Sequence, residues 1–306
     1  MFAFISNVFG YLLNFLYELV NNYGIAIILF SIILRIILLP ITIKQQKSMQ
    51  KTNKIQGQLK SLQVKYKNNP EMLNKETMEL YKREKISPFS GCLSGIIQII
   101  IILSVFYLVS QPLTYMKKAN DNNPELKAAV EEYKNQVKES NSKTRYIEIA
   151  TIAKMSEEYK GIDDKINNTE ANEAEKNDLV NRKGILEKLN INMEFLGLDL
   201  SKVPNENLKD FTVYIIPLLY VISSFISIRI TTNAQNKKKN DENKDKGEVD
   251  SMAQMSKSMS YMMPIMTLSI AFIAPLGLAL YWFVSNVLMI AERFIIKKIT
   301  DNKEAE

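Results

Sequence analysis

The sequence predicts an all-α polytopic membrane protein. It comprises an N-terminal interfacial amphipathic helix, a core of five transmembrane helices, a cytoplasmic helical hairpin and a long helical extracytoplasmic insert. Three observations predict this. Apolar blocks at 24–43, 92–113, 211–230 and 259–291 each match or exceed the ~20 residues a helix needs to cross a ~30 Å hydrocarbon core. The segments between them are strongly polar, so the near-zero mean hydropathy averages two unlike materials. Arg35 stands alone inside the first block, GIAIILFSIILRIILLPITI.

Residues 1–22 lack the basic start and small-residue cleavage site of a signal peptide and are read as retained. Ile5, Val8, Phe9, Leu12, Leu13, Leu16, Leu19 and Val20 fall on one helical face, opposite Asn7, Asn14, Glu18 and Asn21. That pattern predicts a helix lying in the outer membrane interface, with a sixth span as the alternative.

The first span, 24–43, holds Arg35 roughly 16 Å along its length at ~1.5 Å per residue, near mid-depth. Placing arginine there costs about 2.5–3.5 kcal/mol, so it should face a partner or a wet cavity. No Asp or Glu falls within an apolar block, so an in-chain partner is not expected. The reading is a hydrated cavity holding a positive charge for a negative guest.

Segment 44–90 carries 11 Lys/Arg against 4 Asp/Glu, and is read as a cytoplasmic basic helical hairpin broken at Lys67-Asn68-Asn69-Pro70-Glu71. Anionic lipid, ribosomal RNA or nascent chains are its candidate contacts, against a plain solvated face. The second span, 92–113, presents Gly91, Ser94, Gly95 and Gln98 on a small and polar face. The insert 114–210 follows, outside. Counted from 113 it holds 16 Lys/Arg against 19 Asp/Glu, and helical spacing links Val130, Tyr133 and Val137, then Ile152, Met155, Tyr159, Ile162 and Ile166.

The third span, 211–230, carries Ser223, Ser224 and Ser227, and a basic cytoplasmic loop, 231–258, comes next. Block 259–291 holds 33 residues without a charge, too long for one crossing. Pro275-Leu276-Gly277 divides it into spans at 259–274 and 276–296, before a cytoplasmic tail at 297–306. The charge bias puts the N-terminus outside and the C-terminus in the cytoplasm. Met252, Met255, Met259, Met262 and Met266 form a stripe read as packing.

Candidate binding residues follow from the polar positions of the spans. Ser31, Arg35 and Thr42 share one face of the first span, and Trp282, Ser285 and Asn286 share a face of the last, beside Tyr281. Gln98 and Ser227 add polar positions from the second and third. Small hydroxylated residues also serve as ordinary helix-packing glue, so Arg35 carries most of the weight.

Several chemistries are absent. The chain has no histidine and one cysteine, Cys92, which removes Ser-His hydrolysis, His-based zinc sites and an internal disulfide. No GxxxxGK[ST] loop occurs, and no cofactor or metal site is read. An enzyme is a poor hypothesis.

Five segments in order carry a family likeness: Arg35 before Leu39-Pro40; the basic hairpin with Asn69-Pro70-Glu71; Pro88-Phe89-Ser90-Gly91-Cys92-Leu93 leading to Gln98; Phe195-Leu196-Gly197-Leu198-Asp199-Leu200-Ser201; and Pro275-Leu276-Gly277-Leu278-Ala279-Leu280-Tyr281-Trp282-Phe283-Val284-Ser285-Asn286. On these the chain resembles the YidC family of membrane protein insertases, most closely the short Gram-positive type. The resemblance implies a bacterial plasma-membrane protein that inserts and helps fold nascent membrane proteins without nucleotide hydrolysis, alone or with the Sec translocon.

It further implies a hydrophilic groove open to cytoplasm and lipid but closed outside. In that groove Arg35 attracts the acidic N-terminal tail of a short substrate, while the substrate's apolar span slides past Tyr281, Trp282 and Ser285. Substrate-binding roles for Ser31, Thr42, Gln98 and Ser227 belong to the same picture. Ribosome and signal recognition machinery are the further implied partners, with the bilayer itself and no specific DNA. The chain departs from the family at Ser94 and Ile100, where prolines are usual, at Ile228, where glutamine is usual, and in its long insert. Apart from the resemblance, a small-anion channel or transporter using Arg35 and an assembly factor for one membrane complex also fit a buried cation.

Overall fold

The computed structural model describes residues 2–85, 90–118, 123–140, 144–168, 173–239 and 269–303. The methionine stripe and the expected fourth span as far as residue 268 lie outside the described residues; 269–273 are helical. Four described helices are long and apolar enough to cross a membrane, covering Phe2–Val20, Tyr23–Ser48, Phe211–Ile230 and Leu276–Ile296, with a shorter apolar helix at Ile96–Ser110.

Helix α1 (Phe2–Val20) packs against α2 (Tyr23–Lys54), the next helix in the chain. The chain reverses at Asn21, whose φ of 48° is one that asparagine tolerates better than most residues. Asn22 then caps α2, its Oδ1 accepting from Ile25 N at 3.1 Å. The face of α1 turned inward is Ser6, Gly10, Leu13, Leu16 and Tyr17, while Phe4, Val8, Tyr11, Phe15 and Leu19 are exposed. Apolar side chains thus occupy both sides of this helix, and its small residues choose the packed one. Ser6 Oγ donates to Ser104 O at 2.9 Å, and Gly10 lies against the backbone of Tyr115 with no room for a Cβ.

Helix α2 runs past residue 43 without a break, so the first hairpin arm starts as its continuation. The rest of the hairpin is α3 (Gln56–Lys65) and α4 (Pro70–Arg83). Asn69 caps α4 by accepting from Met72 N at 3.1 Å, with Pro70 at the first turn where its missing N–H costs nothing. A small separate core of Ile55 and Leu80, flanked by Leu59, Leu62 and Tyr81, holds the arms together.

Helix α5 (Ser90–Ser110) gives way at Gln111 to the short α6 (Pro112–Tyr115). The insert is a three-helix unit of α7 (Pro124–Ser140), α8 (Ile147–Asn168) and α9 (Glu173–Leu189), closed by a two-residue hairpin of β1 (Glu194–Phe195) and β2 (Leu198–Asp199). Val130, Tyr133, Ile152, Met155, Ile162 and Leu186 form its interior. Arg182 ties the helices together, reaching Glu158 and Glu132, while the Tyr133 hydroxyl donates to Glu158 Oε2 at 2.7 Å.

Helix α10 (Ile215–Lys239) follows a 3-10 turn at Phe211–Tyr214, and α11 (Leu276–Lys303) follows the bend at Ala274-Pro275. The segment after α9 stitches the insert-side ends of the core helices together. Tyr23 N donates to Asn192 O at 2.9 Å, Leu276 N to Lys202 O at 2.9 Å and Gly277 N to Leu200 O at 3.0 Å. Amides in the first turn of α11, which have no partner within that helix, thereby find acceptors in the insert. Phe195 lies flat against Gly24, where no Cβ would fit. Tyr23, Leu200, Leu276 and Leu278 are all at most 1 % exposed, so the insert-side end is packed shut.

Candidate functional site: the Arg35 cleft

Three helices position the site. A Cβ on Gly277 would come within 3.3 Å of the Tyr23 ring, so the bare glycine lets α11 settle close beside α2 at the insert-side end. From there the two helices descend together, which brings Arg35 level with Ser285. Helix α5 closes the third side with Gln98 and Ile101. The cleft is lined by Ser31, Leu34, Arg35, Leu38, Gln98, Ile101, Tyr281 and Ser285. It is narrow, a cavity of ≈ 10 Å³ that a single water would fill.

Five of the eight residues singled out from sequence meet here: Ser31, Arg35, Gln98, Tyr281 and Ser285. Ser31 is buried and donates to Ile27 O at 2.7 Å. Tyr281 is buried and hydrogen-bonded to Ser285. Arg35 Nη2 donates to the Ser285 carbonyl at 3.0 Å.

The other three lie elsewhere. Thr42 donates to Leu38 O of its own helix at 3.2 Å. Trp282 packs on Tyr220 of α10, ring centroids 6.1 Å apart. Ser227 is buried on α10, where its carbonyl accepts from Arg293 at 3.4 Å. Ser223 and Ser224, with Asn286, knit α10 to α11 rather than line the cleft: the Asn286 amide donates to both hydroxyls, at 3.0 and 2.9 Å.

One expectation is corrected. Arg35 does have a partner in its own chain, Glu292, whose Oε2 lies 3.3 Å from Nη1. The side chains are 19 % and 8 % exposed, so the pair is largely out of water. Glu292 is the first residue beyond the charge-free block that ends at 291, yet it falls within the last span as read at 276–296. Helix α11 simply continues through it. Tyr281, Ser285 and Glu292 are spaced by four and seven, which sets all three on one helical face toward α2. That spacing was the signal available in the sequence.

Electrostatically the site is a buried arginine whose five donors are only partly used among the described residues, by one carboxylate oxygen and one carbonyl. Glu292 Oε1 is buried with no hydrogen-bond partner among the described residues. Such a site can bind an oxyanion. Among the described residues no group of His, Cys, Asp or Glu is arranged to hold a metal.

Comparison with known proteins adds the family. The chain matches the 60Kd inner membrane protein family over residues 15–304. It is 41 % identical over 106 residues to the membrane protein insertase YidC of Fusobacterium nucleatum, covering 35 % of this chain and 52 % of that protein. It is 43 % identical over 107 residues to the insertase YidC of Caldanaerobacter subterraneus, covering 35 % and 52 %. The insertase YidC of Francisella tularensis subsp. novicida is 39 % identical over 109 residues, covering 36 % and 20 %. The chain thus spans about half the length, or less, of the curated relatives it matches. With its four candidate spans, it is a multi-pass membrane protein.

Proposed function

This chain belongs to the 60Kd inner membrane protein family, and from that premise we propose that it inserts nascent membrane proteins into the bacterial plasma membrane without hydrolysing nucleotide. It works alone or beside the Sec translocon, with its N-terminus outside and its C-terminus in the cytoplasm. The observation that carries the reading is Arg35, an arginine with donors unused among the described residues, in a cleft between α2, α5 and α11 whose insert-side end is packed shut.

An acidic N-terminal tail enters from the cytoplasmic side and takes up Arg35's free donors. Tail transfer is the barrier, because polar groups lose water. The apolar span that follows enters lipid downhill and needs no fuel. Ser31, Gln98, Tyr281 and Ser285 provide polar contacts beside Arg35. Thr42, Trp282 and Ser227 lie away from the cleft lining and would meet a substrate only along its path. The hairpin α3–α4 meets the nascent chain first, and ribosome or targeting machinery delivers it. Helix α1 lies at the outer interface with Phe4, Val8, Tyr11, Phe15 and Leu19 toward lipid. The packed insert-side end supports an insertase over a channel, which needs a path open on both sides.

The test is protease protection of a single-span substrate with an acidic tail in proteoliposomes. Wild type should protect the tail, Arg35→Lys should retain most activity and Arg35→Ala should lose it. Wild type no better than empty liposomes would sink the reading.

A further inference from the structure

We propose that Glu292 is an internal competitor for the substrate: it occupies Arg35 as a carboxylate that a substrate's acidic group must displace, and so holds down the affinity of the cleft for acidic tails. The inference rests on the insertase reading of the same cleft and adds the residue that limits how tightly the cleft holds an acidic tail.

The contact is of a replaceable kind. Arginine binds carboxylate best through two parallel N–H···O bonds. Here only one oxygen engages, at 3.3 Å, and the second guanidinium nitrogen turns to the Ser285 carbonyl instead. The remaining carboxylate oxygen, Glu292 Oε1, is buried and unpartnered among the described residues. A half-satisfied ion pair out of water has lost hydration without recovering it in hydrogen bonds. A tail carboxylate able to present both oxygens offers Arg35 a better partner.

Position makes the exchange feasible. Glu292 stands near the end of the apolar stretch Leu276–Ile296, two helical turns beyond Ser285, and basic residues follow it on α11. Once displaced, its carboxylate has a short way to go to reach water. Arg35 sits deeper and cannot follow. An empty cleft therefore keeps its arginine neutralised, which lowers the cost of holding it in the membrane. An uncharged tail has nothing to exchange for Glu292, and a linked carboxylate competes at the high effective concentration of an intramolecular ligand. The preference for Asp or Glu comes from the arginine, and Glu292 moderates it because its own displacement costs part of the acidic tail's binding.

The test is affinity rather than insertion. Two synthetic single-span peptides, identical except for Asp or Asn in the N-terminal tail, are titrated against the full-length protein in nanodiscs. Wild type should prefer the Asp peptide. Glu292→Gln should tighten binding of the Asp peptide several-fold, on the order of ten, and leave the Asn peptide within about twofold. Glu292→Asp, which keeps the charge but shortens its reach, should shift the Asp peptide the same way by less. Thermal unfolding of each variant checks that it is folded.

A Glu292→Gln variant that binds both peptides as wild type does, or loses both equally, would overturn the proposal and make Glu292 a structural partner only. Protease protection by wild type reports on the insertase reading alone, so the two ideas fail separately.

Discussion

Glu148 accepts both hydrogen bonds that Thr114 offers: the backbone N–H of Thr114 at 3.0 Å and its hydroxyl. The two residues are 34 positions apart, one at the top of the apolar core on α6 and one at the start of α8 in the insert. Lys134 of α7 lies 3.3 Å from the same carboxylate. One buried acid therefore fastens the insert to the membrane core, and the stitched insert-side end depends on that fastening.

Glu148→Ala should release it. Removing one member of a buried charged cluster leaves the others unpaired, with a cost of about 3 kcal/mol. Hydrogen exchange on the full-length protein in detergent should rise across α6 and the beginning of α8. Unchanged exchange there would mean that apolar packing alone holds the insert.

Asn286→Ala removes the amide that bridges Ser223 and Ser224 from α11. Interhelical hydrogen bonds in membranes are worth about 0.6 kcal/mol on average and up to about 1.7. Because this amide makes two, the loss should fall near the upper end, about 1.5 kcal/mol. A lowered midpoint in detergent-induced unfolding reads it. Asn286→Gln, with a longer reach in the same packed space, should not restore the loss.

Much of this architecture was legible because bilayer thickness acts as a ruler. Hydropathy located the cores of α2, α5, α10 and α11, and Asn69-Pro70 located the hairpin turn, since cap chemistry is local. What hydropathy could not supply was the extent of helices beyond lipid, because Lys and Glu are good helix formers once water is near. That is why α2 runs to Lys54. For the cleft, Arg35 was legible from its cost alone. Ser31 and Gln98 were legible as polar exceptions. The sorting of Ser285 toward Arg35, and of Asn286 toward α10, needed the relative rotation of neighbouring helices, which no single-helix periodicity contains.

Gly10→Leu should pry α1 from α6. A Cβ at this position would run into the Tyr115 carbonyl, which is backbone and cannot rotate aside. Overpacking of this kind costs about 1–3 kcal/mol. The ring contact between Phe9 and Phe30, with centroids 5.5 Å apart, should loosen with it. Crosslinking between cysteines placed at Phe9 and Phe30 checks this: efficient in an otherwise unaltered chain, and weakened when Gly10→Leu is added. Equal crosslinking in both would show that α1 is held by α2 alone.

The insert should be most stable between mildly acidic and mildly alkaline pH, because Glu158 and Tyr133 limit it from opposite sides. Burial works against ionising Glu158, but hydrogen bonds from Arg182 and Tyr133 outweigh it and hold the carboxyl below its ordinary 4.5. A depressed folded value means stability that is present above the unfolded value and lost as pH falls through the folded one. For Tyr133, burial first and the bond to Glu158 second push the phenol above its ordinary 10.0. A raised folded value means stability present below the unfolded value and lost as pH climbs through the folded one. Melting of α7–α9, followed by hydrogen exchange or helical circular dichroism in the full-length protein, should therefore ease below about pH 4 and again above about pH 10. Tyr133→Phe should abolish the alkaline limb and Glu158→Gln should flatten the acid one. If both variants keep the wild-type profile, the pH dependence arises elsewhere, and the triad with Arg182 is only a surface ornament of the bundle.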